Sequence, residues 1–149
     1  MPEKAITEEA KRVNGWTKKK LMDKKAKKFT KGESEKLTTF LNKHRDLPIV
    51  AHNIKYDRDQ VLGPAYLKVK NFEGMPDHKR WKCTYQMSFR VEKMTHRTLD
   101  DCLEHFGYEP RDTDEVHDAM HDCILTAKVY MDLVKIPEEK KWTLGFTKE

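Results

Sequence analysis

The stretch "PIVAHNIKYDRDQVL" (48–62) decides how the chain is read, because the character of its residues changes midway. Ile49, Val50 and Ala51 form a short apolar run with β-branched residues at its centre, closed off by Pro48, and that composition predicts a buried strand. From Asn53 onward the pattern is polar and helical, so the strand hands over directly to a helix. Asp57 falls just past that handover. An acid beyond the carboxyl end of a buried strand faces the crevice in which α/β folds bind ligands. The ordinary alternative is that Asp57 stabilises the first turn of its helix by opposing the dipole.

A second stretch poses the same choice. In "VHDAMHDCILTAKVYM" (116–131) a histidine, His117, precedes Asp122 by five positions at the start of the clearest helix in the chain. Met120, Ile124, Ala127, Met131 and Val134 recur at helical spacing and predict that helix's buried stripe, with Asp122 off it and Pro137 as its end. A carboxylate that binds a hard divalent cation, beside a histidine able to deprotonate water, suits phosphodiester hydrolysis. His117 and His121 also stand at i and i+4, the spacing of a zinc-binding helix. Asp118 occupies the place where a metalloprotease needs Glu, however, and no third ligand is marked downstream, so the zinc motif is incomplete.

The remaining chain fills in around these two stretches. "GESEKLTTFLNKHRDLP" (32–48) predicts a helix with Leu37, Phe40 and Leu41 inward, and Gly63-Pro64 interrupts the helix after Asp57 so that "PAYLKVKNF" (64–72) starts anew with proline in its first turn. "NFEGMPDHKR" (71–80) is a loop, and "WKCTYQMSF" (81–89) is a short strand or the opening of a helix. "HRTLDDCLEHFGY" (96–108) is a helix capped by Thr98, apolar on Leu99, Cys102, Leu103 and Phe106, and stopped by Gly107. "EPRDTDE" (109–115) is an acidic loop. This order is α/β with very few strands for its size.

Bulk properties set the outer limits. The chain has 149 residues, enough for one core, with 37% hydrophobic and 37% charged residues. A mean hydropathy of -0.91 lies near the polar edge for a globular domain. Thirty Lys and Arg against 25 Asp and Glu give a net charge of +5, compatible with a polyanionic partner. The densest basic run, "KKKLMDKKAKKF" (18–29), includes a narrow stripe of Leu21, Met22, Ala26 and Phe29, continued from Trp16. Such a run is ordinarily a solvated helix face; it tracks phosphates only if the rest of the chain handles nucleic acid. Cys83, Cys102 and Cys123 form no CxxC pair, and no apolar run spans a membrane or forms a signal peptide, so a reduced, cytoplasmic, soluble protein is expected.

Taken together, the two stretches resemble the second and third motifs of the DnaQ-like (DEDDh) 3′–5′ exonucleases, the family of the proofreading subunit of DNA polymerase III. "IVAHNIKYDRDQVL" carries the His-Asn, aromatic and Asp of the second motif; "VHDAMHDCILTAKVY" carries the His, small residue and Asp of the third. "CTYQMSFR" and "HRTLDDCLEHFGY" look like the family's intervening strand and helix, and "AITEEAKRVNGWTKKKLM" like the segment before the second motif. The resemblance implies a ribonuclease H-like fold in which four carboxylates hold two magnesium or manganese ions. It makes Asp57 and Asp122 metal ligands, His117 the general base, and His52, Asn53 and Tyr56 neighbours of the terminal nucleotide of a DNA or RNA 3′ end.

One departure stands out. The family's first motif, Asp-x-Glu on the opening strand, has no counterpart: Glu33-Ser-Glu35 sits on a predicted helix, Asp57-Arg-Asp59 belongs to the second motif, and Asp112-Thr-Asp114 lies in the loop before His117. The expectation is one N-terminally incomplete, helix-rich exonuclease domain: a basic segment 1–32, a motif-bearing core 33–136 and a tail 137–149. Two-ion hydrolysis then needs the Asp-x-Glu carboxylates from a complementary exonuclease fragment or from a region outside this chain, and a polymerase subunit is a further expected partner. The alternative is a catalytically inactive module that binds nucleic acid or a polymerase on the same scaffold.

Overall fold

Two three-residue strands organise the molecule. β1 (Ile49–Ala51) and β2 (Trp81–Cys83) pair in parallel, in the register Ile49 to Trp81, Val50 to Lys82 and Ala51 to Cys83. The computed structural model describes residues 18–23, 27–111 and 118–138, together with Glu8. Within them, helix α1 is Lys18–Asp23, α2 is Lys31–Lys43, α3 is Gly63–Lys68, α4 is Thr84–Met87, α5 is Leu99–His105 and α6 is Ala119–Leu133. The architecture is therefore mixed and helix-rich around a small parallel sheet. No helix among the described residues is long and apolar enough to cross a membrane.

A parallel pair needs a crossover, and here it begins as a π-helix, Lys55–Leu62, that runs straight into α3. The sequence expected a break at Gly63-Pro64, and the chain instead changes winding there. The Gly63 amide donates to the Arg58 carbonyl, five residues back, and Pro64 has no amide to place. A Cβ on Gly63 would lie 3.0 Å from that carbonyl oxygen, so glycine permits the close approach.

α2 is held by polar contacts more than by the apolar face expected for it. Thr30 caps its first turn, accepting from the Glu33 amide at 3.2 Å. Leu37 and Leu41 are half-buried, but Phe40 is exposed and rests on His44. The fully buried residue is Ser34. Its hydroxyl donates to Lys31 O and accepts from Asn71, and the buried Tyr66 hydroxyl donates to Ser34 O at 3.2 Å. Thr38, 3.0 Å from that same Tyr66 hydroxyl, donates to Gly74 O. Four residues on α2, α3 and the following loop thus satisfy one another where an apolar contact would otherwise seal the gap. Of the basic stripe, Met22 and Phe29 are exposed; Trp16, Ala26 and the Leu21 side chain lie outside the described residues.

The apolar core lies on the other side of β1, between α5 and α6. Val91, Cys102, Leu103, Leu125, Val129 and Leu133 form it, with Met87, Met94, Leu99, Phe106, Tyr108 and Ile136 packed around. α5 behaves as its sequence predicts: Thr98 and Asp101 make a reciprocal capping box and Gly107 ends the helix at φ +77. α6 does not. The expected stripe of Met120, Ile124, Ala127, Met131 and Val134 is exposed, Met120 at 71%, whereas Leu133 is fully buried. The helix is apolar on two sides, and its tightest packing follows Leu125, Val129 and Leu133 because that side meets α5 and β1.

This orientation is measurable. Leu133→Ala should destabilise the chain by about 2–5 kcal/mol in urea unfolding, the range for a truncated core leucine. Met131→Ala should shift it by less than about 0.5 kcal/mol, as a surface change does. The reverse order would restore the stripe expected from the sequence.

Candidate functional site

The site is built at the carboxyl end of β1, where His52 follows directly. Its two ring nitrogens are both engaged: Nδ1 lies 2.9 Å from Thr84 Oγ1 and Nε2 lies 2.8 Å from the Arg97 carbonyl oxygen. A carbonyl only accepts, so Nε2 carries the hydrogen, and the neutral ring leaves Nδ1 to accept from the Thr84 hydroxyl. The His52 carbonyl in turn accepts from the Tyr85 amide at 3.1 Å. One residue thereby joins β1 to α4 and to the loop before α5. Burial pushes the His52 pKa below its ordinary value; the Arg97 carbonyl and the carboxylates of Asp57, Asp100 and Asp101 only partly offset this.

Asn53, Tyr56 and Asp57 lie on the exposed side of the turn into the π-helix. The amides of Tyr56 and Asp57 both donate to the Asn53 carbonyl, at 2.9 and 3.1 Å, which fixes the first turn. Although the Asp57 residue is exposed, its carboxyl is crowded enough that desolvation raises its pKa, opposed by its own backbone amide and by His52.

Asp122 enters from the first turn of α6, which Asp118 caps by accepting from the His121 amide at 2.9 Å. α6 packs on β1, so the helix bearing Asp122 lies against the strand that delivers His52 and Asp57. Arg111, with a side chain only 6% exposed, binds Asp122 through Nη1 and grips both oxygens of Asp100, at 2.6 and 2.8 Å. Asp100 is also among the carboxylates that act on His52. Asp100, Arg111 and Asp122 thus form one ion-pair cluster, and the carboxylates of Asp57 and Asp100 both favour the charged form of the His52 ring. His117 lies outside the described residues.

Asp57 and Asp122 are hard oxygen donors of the type a magnesium or manganese ion takes. Among the described residues, no three or more His, Cys, Asp or Glu side chains are grouped to hold a metal ion. Two carboxylates, one of them already bound to arginine, do not fit a two-ion centre by themselves.

The sequence reading named Asp57, Asp122 and His52 but passed over Arg111, Thr84 and Arg97. Arg111 was hidden inside an acidic loop, where one cation among four acids reads as noise; its low exposure is a tertiary property. No protein-family profile, curated protein or solved structure matches the chain.

Two outcomes follow from the His52 arrangement. His52→Ala should cost about 1–3 kcal/mol by leaving the Arg97 carbonyl without its donor and the Thr84 hydroxyl with only the long contact to Ala51 O, read by chemical unfolding at pH 7.5. Because the folded pKa lies below the ordinary 6.5, the unfolded chain binds the proton first as pH falls. His52 therefore contributes fully above about pH 6.5, and this contribution is lost below it. Unfolding of the wild type between pH 7 and 5 should show a steeper decline than that of His52→Gln; parallel curves would contradict the buried neutral ring.

Proposed function

We propose that the chain is the motif-bearing C-terminal portion of a metal-dependent DEDDh 3′–5′ exonuclease with a ribonuclease H-like fold, acting on DNA or RNA 3′ ends. The observation that carries this reading is the packing of α6 on β1, which sets the helix of Asp122 against the strand that leads to Asp57. The parallel pairing of β1 and β2 across a helical crossover supports it at the level of architecture. His117, carried by the resemblance, takes the role of general base.

The reading includes a complement. Asp57 and Asp122 supply part of a magnesium or manganese site, and an Asp-x-Glu segment, on another chain or in a further region of the protein, supplies the rest. Two surfaces fit such a partner: the edge of β1 opposite β2, which no described strand pairs, and the outer stripe of α6 from Met120 to Val134. An open strand edge is what an added strand pairs with, and an exposed apolar helix face is what a partner covers.

A specific observation favours the second reading, a module that binds nucleic acid or a polymerase without cleaving. Arg111 already neutralises Asp122, so the electrostatic demand for a cation there is reduced.

The deciding experiment recovers the tagged full chain from its native cells with whatever is bound to it, and incubates it with a 5′-labelled single-stranded oligonucleotide and manganese. The expected result is shortening from the 3′ end that Asp57→Asn and Asp122→Asn each reduce at least about 100-fold, relative to a wild-type preparation made the same way. Digestion equal in all three, or none in the native preparation, would remove the exonuclease reading.

A further inference from the structure

Beside the candidate site, α4 and the 3₁₀ turn Ser88–Arg90 carry two rows of side chains with opposite fates. Thr84 and Ser88, four residues apart, are fully buried: Thr84 meets His52, and the Ser88 hydroxyl donates to the Tyr85 carbonyl at 2.6 Å. Tyr85 and Phe89, one step round the same helix, remain 45% and 53% exposed. The inner row pins the segment, and the outer row is left in solvent although it is aromatic.

The outer row is also ordered. Tyr85 stands edge-on to Phe89, with ring centroids 5.5 Å apart and planes at 84°, and edge-on to His52, at 6.1 Å and 85°. The Arg97 guanidinium lies over one face of Phe89, 4.3 Å from its centroid. Arg97 is itself fixed by donating to Ser88 O and, at 3.2 Å, to Val91 O. Even with Arg97 over one face and Tyr85 at a right angle to it, Phe89 stays 53% exposed. Two perpendicular rings, held from below by buried hydroxyls and a fixed cation, make a rigid aromatic corner a single residue away from the carboxyl end of β2. It adjoins the His52–Asp57 turn through Tyr85, which stands against the His52 ring.

We propose that Tyr85 and Phe89 form a stacking corner for an unpaired nucleobase of a single-stranded nucleic acid. Both rings keep about half of their surface in solvent, and every base offers a flat π-face to such aromatic surface, whereas bases in a duplex are already stacked. The phosphates that accompany a base meet the Arg97 guanidinium and Lys93, exposed on the same loop beside Glu92, on a chain whose net charge is +5. The corner is rigid before binding, so little ordering opposes the stack. The proposal deepens the exonuclease reading by naming where the strand is gripped, and it rests on that reading only for the strand's polarity.

The test measures binding of the full chain to fluorescently labelled single-stranded DNA and RNA oligonucleotides in EDTA, so that hydrolysis plays no part. Tyr85→Ala and Phe89→Ala should each weaken binding about tenfold, with an unchanged salt slope and unchanged circular dichroism. Tyr85→Phe should bind as the wild type does. An oligonucleotide with abasic residues at its 3′ end should bind the wild type as weakly as the intact oligonucleotide binds the alanine variants, and the variants should lose nothing further. Wild-type affinity retained by both alanine variants would overturn the corner. If such variants still shorten 3′ ends in manganese, only the corner falls and the exonuclease reading stands. If binding depends on the aromatics but the native preparation digests nothing, the corner stands within a binding module. If the wild type binds neither DNA nor RNA, the corner falls, and the exonuclease reading is decided by digestion in the native preparation.

Discussion

The imidazole of His52 is the constraint on which the arrangement depends. It follows the last residue of β1, spans from Thr84 beyond β2 to the carbonyl of Arg97 before α5, and has both nitrogens hydrogen-bonded in the neutral Nε2–H form that its burial favours. A three-residue strand pair has few ladder bonds of its own to hold register. The ring acts as a side-chain rung at the carboxyl end, where the chain turns outward to present Asn53, Tyr56 and Asp57. A buried polar ring is stabilising only while both nitrogens are satisfied, so its two partners and the strand ends are fixed together.

Electrostatics then decide what the site can accept. Asp57 is desolvated, which raises its pKa, while Asp122 pairs with the nearly buried Arg111. A guanidinium and a divalent cation compete for the same carboxylate oxygens, and the guanidinium has the advantage of being preorganised by Asp100. On the exonuclease reading, Arg111 stands in for cation charge until further carboxylates arrive; on the binding-module reading it is permanent. The same contact serves both, which is why Asp122 is the informative residue.

Much of this was legible from local chemistry and some of it was not. The strand at 49–51 was visible because Pro48 and the β-branched pair leave few other options, and Thr98 and Gly107 mark α5 by caps that act within one turn. The inner face of α6 was misread because the helix is apolar twice over: Met120, Ile124, Ala127, Met131 and Val134 make the more regular stripe, while Leu125, Val129 and Leu133 meet the core. Periodicity locates a stripe but does not say which element covers it. Ser34 and Phe40 were exchanged for a related reason: a small hydroxyl with two partners fits the tight space beneath Tyr66, which a phenyl ring would overfill. The Arg111 and Arg97 side chains reach carboxylates and carbonyls 6 to 11 residues away in sequence, and the Arg97 carbonyl meets His52 from 45 residues away; the fold brings these groups together, and no local pattern reports that.

The central claim is that Asp57 and Asp122, 65 positions apart in the chain, belong to one cation site. Manganese titration of the isotopically labelled chain, followed by paramagnetic broadening of its amide signals, tests this most directly. The account predicts that signals of Asn53–Asp57 and of the first turn of α6 broaden together at the lowest manganese concentrations, while those around Tyr66 and Ser34 stay sharp. Broadening confined to one of the two stretches, or appearing first at acidic residues elsewhere, would contradict it.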